Sequence, residues 1–468
     1  MEFNAFVENL QDGFNIEAFK QFGGPLDSDW VRQALAETGT ASVRRRKLPA
    51  HLAVWLVIGM GLFRDRSIEA VVKHLGLVFS RAGGRAVVNG AAVVPSAIAA
   101  ARKRLGAEPL QRIFSHSAEV WSAVASEAEL WKGLAVYAVD GTTFRVPDTV
   151  ENLDEFGLPG SSRGQASYPL VRAVTLVAAR SHIIRAAAFG PCLGKGTGEQ
   201  TLARELWDDV PPASVVILDK GFLNYPVLYR LATHDPATDA APKHWLIRAK
   251  SNLVMRHIKE LGDGDSIVEV ALPADARRED PAMPKTMQVR AVSYQVDGHE
   301  PQLLLTSMLD HERYQALDVA QLYHERWEIE LSYDEIKTHM LEREEALRSK
   351  TPAAISQEIW GLLIAYNLVR CRMIEVASDI GVPHNRISFR NTIHLVRIFC
   401  LVHAWDDAVS KLPARLSALD EMLSLLLLPM RRAERSYPRH VKIKMSSYNR
   451  NPGRPSSTKP KPLKEPLK

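Results

Sequence analysis

Between Leu52 and Phe63 the chain is apolar almost without interruption, and charge flanks the run on both sides: Arg44, Arg45, Arg46 and Lys47 before it, Arg64, Asp65 and Arg66 after it. A run of about 12 residues is too short for the roughly 20 that span a bilayer, so the pattern predicts a buried helix and no membrane partner. An amphipathic helix follows within SIEAVVKHLGLVF, and Ser96 is placed to cap a third, AIAAARKRLGAEPLQRIF. Residues 1–40 predict only short helices. Short helices with a basic stretch at Arg102, Lys103 and Arg104 have the layout of a helix-turn-helix, which makes these three residues candidates for DNA contact. A plain helical bundle with a solvated basic face accounts for the same pattern equally well.

Beyond Lys132 the pattern changes. GLAVYAVD is β-branched and aromatic and ends on Asp140, YPLVRAVTLVAA and HIIRAAAF predict two more strands, and SVVILD is a further strand ending on Asp219. GTGEQTLARELWDDV and Tyr225–Leu231 predict helices, HWLIRAK a strand, and a loop rich in Gly and Ser falls around residues 157–167. This is an α/β domain in which two strands terminate in an aspartate, and functional groups of such sheets gather at the carboxyl ends of strands. From about 251 to 310 the helical signal is weak, MQVRAVSYQVDG and PQLLLTSML alternate, and Pro281, Pro284 and the charged run Arg277–Asp280 punctuate the stretch, which predicts a mostly β insertion. A long helix is expected from Tyr314 to Met340, which lacks Gly and Pro, and another from Pro352 to Ala377.

The helix QLYHERWEIELSYDEIKTHM can be laid on a wheel at about 100° per residue. Tyr323, Arg326, Glu330 and Lys337 then share one stripe about 60° wide. Leu322, Ile329, Tyr333, Ile336 and Met340 form an apolar stripe beside it, and Glu325, Glu328, Ser332 and Glu335 face an opposite side expected to be solvated. The first four thus border the buried face, where ionisable groups are costly unless paired or liganded. A salt-bridged helix edge is the plain explanation, since Arg326 and Glu330 stand at i,i+4. The alternative is chemical. Two aspartates at strand ends plus a glutamate on a packed helix are the hard oxygen ligands that divalent ions need for phosphodiester chemistry.

Charge and composition narrow the classes. The net charge is +5, but residues 431–468 hold twelve Lys or Arg against two Glu, so the tail contributes +10 and the rest of the chain −5. The global balance therefore reports a basic, Pro- and Ser-rich tail from about Ser447, able to touch a DNA backbone or simply to keep the chain soluble. Cys192, Cys371 and Cys400 lie far apart without a CxxC spacing, which indicates neither a zinc site nor a disulfide framework and fits a reducing cytosol. The N-terminal twenty residues carry acids and lack an apolar core, unlike a secretory signal. Asp148, Asp154, Asp208 and Asp209 predict surface or capping roles. Glu199, after Gly194, Gly196 and Gly198, belongs to a turn, since no Gly-Lys-Ser/Thr ending makes that stretch a phosphate loop.

The unbroken spacing of Tyr323, Arg326, Glu330 and Lys337 resembles the Tyr-(2)-Arg-(3)-Glu-(6)-Lys signature of one group of bacterial insertion-sequence DDE transposases, the IS-four group. YAVDGTTFRVPDT and VVILDKGFLNYPVL look like that group's first and second aspartate motifs, and RRRKLPAHLAVWLVIGMGLFRDRSIEAVV resembles its N-terminal domain. YPLVRAVTLVA and TPAAISQEIWGLLIAYNLVR are also similar to it, so the resemblance runs from about Arg44 to Tyr448.

The resemblance implies an α/β fold: a ribonuclease-H-like catalytic core with a β-rich insertion before the last acid, plus an α-helical N-terminal domain. The implied layout is a DNA-binding domain at 1–130, the core at 131–250 and 313–380, the insertion at 251–312, a helical C-terminal region at 381–446 and a disordered basic tail at 447–468. It implies metal-dependent strand cleavage and transfer at the inverted repeats of an insertion sequence, on double-stranded DNA, by a homodimer in the cytoplasm, nucleoid-associated when bound. Asp140, Asp219 and Glu330 become the catalytic ligands of two Mg²⁺ or Mn²⁺ ions. Tyr323, Arg326 and Lys337 become phosphate contacts: Arg326 with its planar fork, Lys337 as a point charge, Tyr323 through one hydrogen bond. In this group the insertion also helps to hold a hairpin intermediate and a flipped base, for which no aromatic is assigned. A domesticated, inactive DNA-binding derivative is the alternative, and a resolvase-like nuclease of the same core a third. The intact acids and signature favour the active enzyme over the former; the N-terminal domain and insertion argue against the latter.

Overall fold

The β-branched run at residues 135–145 becomes the central strand of a five-strand core, with Val136–Val139 buried between two apolar neighbours. The computed structural model describes residues 17–41, 48–75, 95–161, 164–194, 196–233, 241–250, 253–279, 281–295, 300–342, 346–403 and 409–429. The basic cluster Arg44–Lys47, part of the Gly/Ser loop and the basic tail lie outside these residues.

The strands are β1 (Ala135–Arg145), a small hairpin of β2 (Gly160–Ser161) and β3 (Gly164–Gln165), β4 (Leu170–Ala178), β5 (Ile184–Pro191), β6 (Ser214–Leu218), β7 (Lys243–Arg248), β8 (Arg256–Gly262), β9 (Asp265–Ala271), β10 (Thr286–Tyr294) and β11 (Gln302–Thr306). Nine of them form one sheet in the order β5-β4-β1-β6-β7-β11-β10-β9-β8. β5, β4 and β1 run antiparallel in succession, then β1, β6 and β7 run parallel. That five-strand order and direction is the ribonuclease-H-like core. The expected β-rich insertion is present as β8 to β11. It is continuous with the core, because β11 pairs with β7 through Leu304↔Arg248 to Thr306↔Leu246.

The helices are α1 (Glu17–Phe22), α2 (Ser28–Glu37), α3 (Ala50–Leu62), α4 (Ile68–His74), α5 (Pro95–Leu105), α6 (Glu108–Glu127), α7 (Val150–Phe156), α8 (Glu199–Ala203), α9 (Tyr225–Ala232), α10 (Ala274–Glu279), α11 (Ala316–His324), α12 (Trp327–Asp334), α13 (Pro352–Asp379), α14 (Phe389–His403) and α15 (Leu412–Ser424). The apolar run is α3, buried at every position except His51. It lies along α13, and two glycines set the closeness: a Cβ on Gly361 would meet Val57 Cγ1 at 2.6 Å, and one on Gly61 would meet Ala365 Cβ at 3.0 Å. The N-terminal helices are therefore packed on the core. None of the described helices is long and apolar enough to cross a membrane.

The basic stretch of α5 divides. Lys103 and Arg104 are exposed, but Arg102 is buried and cannot serve as the surface DNA contact expected of it. Its guanidinium donates to Gln357 Oε1 at 2.8 Å, Ser349 Oγ at 2.9 Å and the Ala354 carbonyl at 3.2 Å. Those bonds meet the demand of a buried charge for partners and lock α5 to the start of α13.

The expected long helix from Tyr314 to Met340 is interrupted. It breaks between α11 and α12 at Glu325 and Arg326, and from Glu335 to Met340 it widens into a π-helical turn. Such turns are rare and recur at functional sites. The side expected to be solvated is covered: Ser332 is fully buried, Glu328 is 8% exposed, and Glu335 pairs with the buried Arg370 of α13. A wheel of uniform pitch fails here because the pitch is not uniform and because α12 is packed on two sides.

Candidate active site

Asp140 lies within β1, and the strand continues past it to Arg145. The parallel pairing of β1 with β6 nevertheless stops one residue earlier, at Val139↔Leu218. Asp140 and Asp219 are thus the first residues beyond the paired ends of two adjacent parallel strands, which lie about 4.8 Å apart. Asp219 follows β6 in an extended conformation, and its carboxylate accepts from Gly221 N at 3.4 Å, opening a short 3₁₀ turn at Lys220–Phe222.

The helical acid arrives from the other side of the sequence. Arg326 sits at the break before α12 and spans two acids, with Nη2 2.8 Å from Glu330 Oε1 and Nη1 3.5 Å from Asp140 Oδ2. Tyr333, one turn further on, donates its hydroxyl to the carbonyl of Asp140 at 2.6 Å and lies 2.8 Å from Thr175 Oγ1 on β4. That hydroxyl fixes the helix against β1 at Asp140. Burial pushes the Asp140 carboxyl up to about 6, with Glu199 and Asp219 adding to the rise, while the Gly141 amide and Arg326 oppose it. Tyr323 is almost fully buried on α11, and burial raises its hydroxyl to about 12 against the pull of Arg326 and Arg248, with Asp219 among the charges that act on it. Lys337 is half-buried in the π-helical turn. Tyr323, Arg326 and Asp219 therefore share one field, with Asp140 and Glu330 attached to it through Arg326.

Among the described residues no three His, Cys, Asp or Glu side chains stand as a metal cage. The donor set still fits divalent cations. Asp140, Asp219, Glu330 and Glu199 are hard oxygen donors; Arg326 lies against Asp140 and Glu330, and Glu199 and Asp219 add to the rise of the Asp140 carboxyl that burial causes.

Two residues escaped the reading of the sequence. Arg248 ends β7, the next parallel strand after β6, and is close enough to act on Tyr323. The carboxyl-end rule applied to HWLIRAK would have found it. Glu199 was read as part of a turn; it begins α8 against the backbone of Gly141, and nothing local in the sequence signals that approach. Asp154 sits within α7.

Comparison with known proteins gives the same fold and chemistry independently. Residues 17–115 match the family described as the insertion element 4 transposase N-terminal region, and residues 131–368 match the transposase DDE domain. The chain is 34% identical over 438 residues, 93% of its length and 94% of the relative's, to transposase InsG for insertion sequence element IS4 of Escherichia coli. It is 31% identical over 243 residues to the putative transposase InsZ of the same species, covering 52% of this chain and 75% of that one. Among solved structures, a piggyBac transposase synaptic complex with hairpin DNA aligns over 90% of this chain and 87% of that one, at 11% identity and a TM-score of 0.42, too loose a likeness to bear on the site. The family acts on DNA and depends on divalent metal. With matches of this extent, the chain belongs to the insertion-element-4 family of DDE transposases, and it is a DDE-type transposase.

Proposed function

We propose that Asp140, Asp219 and Glu330 hold two divalent ions, Mg²⁺ or Mn²⁺, and that Tyr323, Arg326 and Lys337 grip the phosphate beside them. The observation that carries this reading is the Arg326 bridge between Asp140 and Glu330, next to the strand end that bears Asp219. When bound, such ions stabilise the oxygens that enter and leave the phosphate in an in-line displacement. The chain's own part is positional. Tyr333 pins the helix to β1, Arg326 exchanges its carboxylates for a bidentate hold on phosphate, and Tyr323 offers one hydroxyl from a dry wall. Arg248 extends the positive rim. Lys103 and Arg104, exposed on α5, remain as N-terminal DNA contacts, with the N-terminal region as the DNA-binding part, β8–β11 as the insertion and a homodimer on paired ends as the working assembly. The setting is the cytoplasm, on the nucleoid when DNA is bound.

The test is cleavage of a duplex that carries the element's inverted repeats, with Mg²⁺, Mn²⁺ or chelator. Alanine at Asp140, Asp219 or Glu330 should abolish strand cleavage and leave end binding intact, because backbone contacts dominate affinity. Full cleavage by Asp219→Ala, or by wild type in excess EDTA, would refute the assignment.

A further inference from the structure

A fourth carboxylate comes to the same place from a segment that neither the signature nor the strand ends mark. Glu199 opens α8, and its side chain lies directly against the backbone of Gly141. A Cβ built on Gly141 would fall 2.5 Å from Glu199 Cδ and 2.6 Å from Oε1. The amide of Gly141 meanwhile donates to Asp140 Oδ1 at 2.7 Å. The carboxylates of Asp140 and Glu199 thus touch the same residue, and only a residue without a side chain leaves room for both. Gly141 stands mid-strand between Asp140 and the β-branched Thr142, where glycine is disfavoured relative to alanine. Its use there calls for a reason, and the closeness of Glu199 supplies one.

The setting of Glu199 differs from that of the other acids packed near α12. Glu325 is paired with Arg180, Glu328 with His182 and Glu335 with Arg370. Glu199 is exposed and, among the described residues, makes no hydrogen bond or ion pair. Placing an unpaired carboxylate beside another carboxylate is unfavourable by itself. A scaffold role would come with a cationic partner. Two divalent ions would instead balance the four charges of Asp140, Asp219, Glu330 and Glu199 and release Arg326 to phosphate.

We propose that Glu199 is a fourth carboxylate of the divalent-cation centre, adding an oxygen ligand to the ion held by Asp140. The proposal rests on the reading of Asp140, Asp219 and Glu330 as that centre.

The experiment is a Mn²⁺ titration of the full-length protein without DNA, read by calorimetry and by the electron paramagnetic resonance signal of free Mn²⁺. The variants are Glu199→Gln, Gly141→Ala, Asp219→Ala and, as a control that removes an exposed acid from the same segment, Glu205→Gln. Glu199→Gln should weaken Mn²⁺ binding by roughly tenfold or more at unchanged Tm and unchanged end binding. Gly141→Ala should act in the same direction by pushing the carboxylate off, and Glu205→Gln should bind as wild type. Wild-type Mn²⁺ binding by Glu199→Gln, with loss in Asp219→Ala, would overturn this proposal alone. Wild-type binding by both would overturn the centre itself. Equal weakening by Glu205→Gln would show a diffuse effect of charge and would also overturn it.

Discussion

α12 carries an acid–arginine pair on each of two sides, and the two pairs live in different surroundings. On one side Arg326 and Glu330 have side chains 19% and 37% exposed, and the arginine also reaches Asp140. On the other, just past the end of α12, Glu335 joins Arg370, whose side chain is 1% exposed. Glu335 further accepts from Tyr366 at 2.7 Å and meets His182, which in turn lies 2.9 Å from Glu328. Burial would raise the carboxyl of Glu335, but Arg370 and His182 overcome it and hold the group down near 2. The closed network has every member engaged and nothing to exchange, so it fixes where α12 sits. The open pair has a solvent-facing acid and a second acid already within reach, so its arginine can change partners. The same residue types therefore form a sealed brace on one side and an open, exchangeable pair on the other, and burial decides which.

The sharpest way to break this comparison is to make the same change in both pairs. Glu330→Gln should abolish strand cleavage and leave Tm within a few degrees of wild type, read by a cleavage time course beside thermal unfolding. Glu335→Gln should do the reverse to stability. It leaves Arg370 buried without its counter-charge, which costs about 3–5 kcal/mol. A Glu335→Leu/Arg370→Leu double variant should unfold less readily than either single one, since removing both charges spares the unpaired one. If Glu335→Gln melts like wild type, the closed network is not what holds the helix.

A smaller effect separates the arginines. Arg326→Lys should keep its Tm within a few degrees, because a partly exposed pair is worth only about 0–1 kcal/mol. It should lose most end-processing activity, because lysine lacks the planar fork for a bidentate hold on phosphate. Wild-type rates in a well-folded Arg326→Lys protein would make this edge of the helix as structural as the other. Removing the guanidinium with Arg326→Gln should tighten Mn²⁺ binding in the absence of DNA, since the arginine and the cation compete for Asp140; unchanged affinity would show that they do not meet.

The smallest effect is in pH. The Asp140 carboxyl is held near 6, above its unfolded value of about 4. The folded chain therefore keeps a proton that the unfolded chain has lost, so this contribution to stability is complete below about pH 4 and disappears as pH rises through about 6. Asp140→Asn should flatten that part of the pH–stability curve. A cation must displace the same proton, so Mn²⁺ affinity should fall as pH drops through 6. A curve identical in wild type and Asp140→Asn would show that Asp140 titrates normally.

Much of this was legible along the chain. The strands of the core, their order of appearance and the β-rich insertion follow from local alternation and turn residues, because a strand buried on both faces must be apolar wherever it lies. α3 was legible as a buried helix from its length and lack of charge. Asp219 was legible as a strand-end acid, and the spacing of Tyr323, Arg326, Glu330 and Lys337 stood out as a signature. Asp140 was legible as an acid of the sheet but not in its detail, since β1 runs on and only the pairing with β6 stops there.

The sequence by itself determined the strands of the core, the β character of the insertion and the buried helix α3, which family the chain resembles, and which acids it offers. Those are local properties, written in hydrophobic period and in residue type. The tertiary structure alone decided that Arg102 is a buried brace, that Glu335 is sealed against Arg370, that the helix breaks at Arg326, and that Glu199 comes to lie on Gly141. Three of these are contacts between residues far apart in the chain, up to 255 positions for Arg102 and Gln357. Whether a charge is solvated, paired or left waiting is set by what other segments pack around it, and no local pattern encodes that.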